Sequence, residues 1–269
     1  MTGASGIVVA DRDRDVILVE GADSGTFLHS QLAADVLVVP IGASAHSLLL
    51  EPTGHVAALV RVVRRAETVW TVDVESGHGA TVIDRLARFV LRAKVTMAPV
   101  EWRVRGWRGP GAREAIGAVI GRADPAWGSA DEIDVVAPPE DLARIDSDAT
   151  PTEPAHLDVL RVDAQWPAFG VDLLAGDVPA TSGILGAAVS FTKGCYPGQE
   201  LVERMDSRGS QAPVHLRVFP RDGLGVGSRI VDDGRDVGTV TSVGSTRAIA
   251  RVARGTVVGE PIAPGTGRP

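Results

Sequence analysis

The chain has 269 residues, 44% of them apolar, and a formal net charge of −7. That length allows one large domain or a large domain with a small one, and the apolar content is ample for a buried core. The negative charge argues against a nucleic-acid-wrapping surface, and a single cysteine excludes an intrachain disulfide framework and a cysteine-only metal or cluster site within one chain.

Met1 to Glu20 carries Asp11-Arg12-Asp13-Arg14-Asp15 and lacks the uninterrupted apolar stretch of a signal peptide. No apolar run reaches about 20 residues, so a soluble cytoplasmic protein without a membrane span is expected. Val16 to Val19 reads as a β-branched strand, followed by a helix with Asp23 or Ser24 as N-cap and Phe27, Leu28, Gln31 and Leu32 along it. Ala45 to Leu50 and Val56 to Arg64 read as strands around a turn at Pro52-Thr53-Gly54, and Thr68 to Val74 as a third. A helix over Thr81 to Arg92 and a strand over Lys94 to Pro99 complete an α+β layered unit. Trp102 to Trp107 and Ile133 to Val136 add strands, with a short helix from Ala112 to Ile120 between them.

Residues 137–157 are rich in Pro, Asp, Glu and Thr. Apart from a short helix through Leu142 and Ile145, they read as exposed connection. After Met205 the texture changes: Val214 to Phe219, Ser228 to Val231, Asp236 to Val243 and Ala248 to Val252 are short strands separated by turns, as in a small β-barrel. The expected division is residues 1–206 and 207–269, with a frayed tail from Gly265. The histidines are scattered with no ligand pair at helical spacing, so no metal site is expected.

The densest chemistry lies in Lys193-Gly194-Cys195-Tyr196-Pro197-Gly198-Gln199-Glu200, followed by Arg204. It holds the chain's only cysteine and only tyrosine. The residues after Gly198 are good helix formers, so Cys195 sits near a predicted helix N-terminus, where amide N–H groups and the Lys193 cation both favour thiolate. The alternative is an inert buried thiol. Glu200 and Arg204 stand four apart, either as a surface ion pair or with Arg204 facing a ligand that Glu200 helps to orient. Gln199 can both donate to and accept from a heterocycle edge, and Tyr196 can stack on a flat ring or close the turn.

This K-G-C-Y-x-G-Q-E-x-x-x-R pattern resembles the signature of the YgfZ family, folate-binding relatives of the glycine-cleavage aminomethyltransferase (T-protein). A second stretch, from Arg161 through Asp163, Gln165, Pro167, Phe169 and Gly170 to Asp172, is similar to a pattern of the same relatives. There a glutamate pairs with the pteridine; here Asp163 stands in its place, one methylene shorter, and Gln165 replaces a glycine. The resemblance implies an aminomethyltransferase-like domain of layered ferredoxin-like units around a central cavity, with a small C-terminal β-barrel. It implies a tetrahydrofolate-type cofactor held by Asp163, Asp73, Tyr196, Gln199, Glu200 and Arg204, with Cys195 and Lys193 as the chemically active pair. The implied role is support of iron–sulfur enzyme assembly or repair, with iron–sulfur assembly factors or client enzymes as partners. The alternative is a folate-dependent aminomethyltransferase or demethylase, with Asp73 or Asp163 as the acid at the folate nitrogens. T-proteins do not carry the cysteine signature, which favours the first reading. A plain interaction module with an incidental cysteine is the third.

Overall fold

The computed structural model describes residues 6–125, 127–208 and 212–264. The tail from Gly265 lies outside them, and the expected boundary at Ser207-Arg208-Gly209-Ser210 lies partly outside.

β1 (Val8–Arg12) and β2 (Arg14–Glu20) are separated by Asp13 alone. Then come α1 (Ser24–Gln31), β3 (Ser44–Leu50), β4 (Val56–Ala66), β5 (Val69–Glu75), α2 (Gly79–Ala87) and β6 (Thr96–Val100). β2 to β6 form an antiparallel sheet in the order β3-β4-β5-β2-β6. Every residue of β4 from Val56 to Val63 is buried, because the sheet is covered on both faces. On one face Ile17, Val19, Trp70 and Val72 pack with Phe27 and Leu28 of α1 and Val82 and Leu86 of α2. On the other, Val16 and Val63 meet residues of a second sheet.

That second sheet uses β7 (Arg103–Arg108), β8 (Arg122–Ala123), β9 (Ile133–Ala137) and β10 (Thr150–Pro151), with helices α3 (Ala112–Ile116) and α4 (Pro139–Leu142) between its strands. Its order is β10-β1-β7-β9-β8. The run Asp11 to Asp15 therefore carries the chain from one sheet into the other. Sequence periodicity missed β1, because its later positions are charged rather than apolar.

α5 (Pro154–Asp163) follows, then a 3-10 turn at Pro179–Ser182, α6 (Leu185–Ala188) and α7 (Gln199–Arg208). α5 begins inside the expected exposed connection, and the structure corrects that expectation. Pro154 occupies the first turn, where a missing N–H costs nothing, and the helix buries Leu157, Arg161 and Val162. β11 (Val214–Pro220), β12 (Arg229–Asp232), β13 (Arg235–Val243), β14 (Arg247–Ala253) and β15 (Glu260–Pro261) form a third sheet, ordered β12-β13-β14-β11-β15. Among the described residues, no helix is long and apolar enough to cross a membrane.

Candidate functional site

The signature loop is braced from two sides. Lys193 Nζ donates to the carbonyls of His29, Leu32 (2.6 Å) and Ala34 (3.3 Å). It thus places a cation on the carbonyls at the C-terminal end of α1, where the helix dipole favours one. Burial lowers the Lys193 pKa to about 8, with Asp35 acting in the opposite direction. On the other side Gly198 meets the turn between β3 and β4. It has φ of 85°, and a Cβ there would lie 2.7 Å from the Glu51 carbonyl oxygen and 2.8 Å from Gly54 Cα. Gly54 likewise leaves no room beside Leu201. The two glycines let two backbones touch, and that contact sets where α7 begins.

Between these braces Tyr196 points inward. It is 7% exposed, belongs to the main core, and burial raises its pKa to about 12. Cys195 points outward and is exposed. It lines a cleft of about 580 Å³ with Pro52, Thr53, Tyr196, Gln199, Glu200 and Arg204. The Tyr196 amide donates to Gln199 Oε1 at 3.4 Å, and Gln199 Nε2 donates to Glu203 at 2.5 Å. Glu200 and Arg204 are exposed and no ion pair joins them, so the i, i+4 spacing leaves both free toward the cleft. Five predicted site residues, Cys195, Tyr196, Gln199, Glu200 and Arg204, thus share one cleft. Lys193 sits behind it with its ammonium committed to backbone carbonyls.

Asp73 lies elsewhere. It is fully buried on β5, where Arg14 Nε donates to Oδ1 and Arg61 donates to both oxygens, at 3.2 and 3.0 Å. Arg61 continues to Asp134 Oδ2 at 2.6 Å, and Asp134 also accepts from Arg12 (3.0 Å) and Arg108 (2.6 Å). This buried chain of charges joins the first two sheets. Burial pushes the Asp73 carboxyl up, but Arg61 and Arg14 more than offset it and hold it below the usual carboxylate value. Sequence reading missed Arg12, Arg14, Arg61, Arg108 and Asp134. The signal available was the alternation Asp-Arg-Asp-Arg-Asp, which at strand periodicity sends Arg12 and Arg14 to one side.

Asp163 ends α5 and faces the turn between β13 and β14. Its Oδ2 accepts from the Ser245 amide (2.9 Å), and its Oδ1 accepts from the Thr246 amide (2.9 Å), the Thr246 hydroxyl (3.0 Å) and the Arg247 amide (3.1 Å). Burial alone raises its pKa, and the donors on Thr246 and Ser245 pull it below the ordinary value. A pteridine needs a carboxylate whose oxygens are open to its amino-pyrimidinone edge. Both expected acids already carry protein donors, and neither lines the Cys195 cleft, so the residues expected to hold folate do not converge as a set.

No family model matches the chain. It is 29% identical over 220 residues to the tRNA-modifying protein YgfZ of Edwardsiella ictaluri, covering 72% of this chain and 65% of that one. It is 25% identical over 272 residues to the mitochondrial iron–sulfur cluster assembly factor IBA57 homolog of Phaeosphaeria nodorum, covering 86% and 64%. The chain is a relative of the YgfZ proteins. It spans just under two thirds of the length of these two relatives. Its fold matches the glycine cleavage system aminomethyltransferase T of Bartonella henselae, with a TM-score of 0.77, 19% identity, and coverage of 93% of this chain and 79% of that one. The aminomethyltransferase-like α+β fold expected from the signature is thus the fold observed.

Proposed function

We propose that the chain is an accessory protein for iron–sulfur enzymes, and that the cleft around Cys195 is its working surface. The observation that carries this reading is the placement of the only thiol. It is solvent-exposed in a polar cleft, on a loop fixed by Lys193 at one end and by the Gly198–Gly54 contact at the other. The kinship with an iron–sulfur cluster assembly factor supports the same assignment. A single thiol cannot complete a cluster site, so any cluster contact recruits further ligands from a client or carrier protein. The cluster is cargo in this reading. Tyr196 and Gln199 shape the cleft floor, while Glu200 and Arg204 offer the partner one charge of each sign. Folate-dependent aminomethyl transfer has less support, because Asp73 is sealed beneath two guanidinium groups.

The test is complementation. Cells lacking the chain are assayed for iron–sulfur enzyme activity after return of wild type or Cys195→Ser. Wild type is expected to restore activity and Cys195→Ser to fail. Full rescue by Cys195→Ser, or unaffected iron–sulfur enzymes in the deletion, would sink the proposal.

A further inference from the structure

We infer that the Arg161–Asp172 stretch in this chain is a docking clamp for the C-terminal sheet, and that Asp163 is one of its jaws rather than a ligand residue. The contacts divide into three sets, each crossing between this stretch and strands or turns of that sheet.

The first set is the turn 244–247. Asp163 takes four protein donors from this one turn, three on Oδ1 and one on Oδ2, so Oδ1 is filled by the turn. Arg247 also returns a bond from Nη1 to the Asp163 carbonyl at 2.8 Å. The fit is close: a Cβ on Gly244 would fall 2.3 Å from Asp163 Oδ1. A glutamate at 163 would push its carboxylate into the same turn, so the shorter acid suits this seat.

The second set is buried. Arg161 is 2% exposed and donates to Asp172 Oδ2 (3.0 Å) and to the Ser242 hydroxyl (3.2 Å) on β13. Asp172, fully buried, accepts from the hydroxyls of Thr241 (2.5 Å) and Ser242 (2.7 Å). Its carbonyl accepts from Arg251 of β14 at 2.7 Å. The first and last residues of the motif therefore pair with each other across the same two strands that Asp163 caps.

The third set is Gln165. Its φ of 61° lies in the left-handed region, where a side chain is strained. Gln165 Oε1 accepts from the Ala263 amide at 3.0 Å, beyond β15, which ties down the far end of the sheet and offsets the strain. A ligand-facing motif has no need of three separate attachments to one sheet.

The inference is independent of the iron–sulfur reading and is tested on the full chain. Asp163→Asn, Asp163→Glu and wild type are compared by amide hydrogen exchange over residues 243–253 and by thermal melting. Tetrahydrofolate titration runs as a separate arm. Both variants are expected to raise exchange in that segment at least tenfold and to melt earlier, with Asp163→Glu no better than Asp163→Asn. Arg144→Ala, at an exposed pair with Asp141, is the control and is expected to match wild type. Unchanged exchange in both variants would overturn the clamp. So would Asp163→Glu that exchanges like wild type and binds tetrahydrofolate more tightly, because that is the behaviour of a shortened ligand residue. If wild type takes up no tetrahydrofolate, the exchange arm alone decides, and Cys195 complementation is untouched.

Discussion

Two of the charged regions of this molecule behave oppositely. At the junction of the first two sheets, Arg12, Arg14, Arg61 and Arg108 share Asp73 and Asp134, almost wholly out of water, and each carboxylate oxygen has a donor. Around Cys195, Glu200 and Arg204 are exposed and unpaired with each other. Charges taken out of water must be paired to persist, so the first cluster is committed to holding the sheets together. Charges left in water cost little to keep unpaired and stay available to a partner. The difference teaches that density of polar residues does not mark a site. What marks it is the capacity left over after the protein's own donors and acceptors are matched.

The sharpest way to break this contrast is to remove a junction acid. Asp134→Ala leaves Arg12 without a bonded carboxylate and strips Arg61 and Arg108 of one partner each. Breaking a buried pair this way costs about 3–5 kcal/mol, and urea unfolding is expected to show a loss of that size. A loss under about 1 kcal/mol would mean that water already reaches the arginines. Acid titration gives the same contrast without mutation. Asp73 and Asp134 have folded pKa values below the ordinary 3.8. Their contribution is therefore present above that pH and is lost as pH falls below it. Wild type should destabilise steeply there, and Asp134→Ala should show a shallower slope.

Next in size is Gly198→Ala. The new methyl meets backbone rather than a yielding side chain, and the left-handed conformation penalises it further. A loss of about 1–3 kcal/mol is expected, with altered alkylation kinetics at Cys195 because the start of α7 must shift. A wild-type melting temperature would show that the contact with Gly54 is not tight.

Much of this was legible in the sequence. The strands and helices of the first sheet follow from apolar runs and turn residues, and β11 to β14 of the third sheet from short runs between turns, whereas the two-residue β15 was not expected. The signature supplied five of the residues that line the cleft, and Pro52 and Thr53 come from the turn between β3 and β4. The rest depended on partners distant in sequence. Lys193 reads as a cation beside a thiol, yet its acceptors are the carbonyls of residues 29, 32 and 34, and nothing local announces that. Arg61 sits in an apolar strand, and Asp73 on the neighbouring β5 together with Asp134 from the second sheet makes it tolerable. Glu200 and Arg204 had ideal spacing for an ion pair and do not form one. α5 was hidden because its start lies in a stretch rich in Pro, Asp, Glu and Thr that reads as connection, although at a first turn proline starts a helix.

A smaller effect sharpens the contrast on the side of the cleft. Burial depresses the Lys193 pKa to about 8, against 10.5 for the free side chain. Between those values the unfolded chain holds the extra proton. The stability tied to this group is thus full above about 10.5 and lost as pH falls through about 8. Wild type should gain stability relative to Lys193→Met as pH rises through that window. The reverse slope would mean that the three carbonyls outweigh burial in setting the lysine's charge.

The smallest expected change in stability belongs to Cys195→Ser, and it carries the most functional weight. Cys195 is exposed, so exchanging sulfur for oxygen removes no buried contact and should leave the melting temperature where it was. Lys193→Met perturbs the same loop but keeps the thiol. If the loop's shape is what partners read, Lys193→Met should fail in cells and Cys195→Ser should succeed. If the thiol is what they need, Cys195→Ser should fail while folding like wild type, and Lys193→Met should retain activity in proportion to how well the loop holds. Measuring melting and complementation on both variants separates chemistry from scaffold, because a thiol with no structural duty can lose function only through its reactivity.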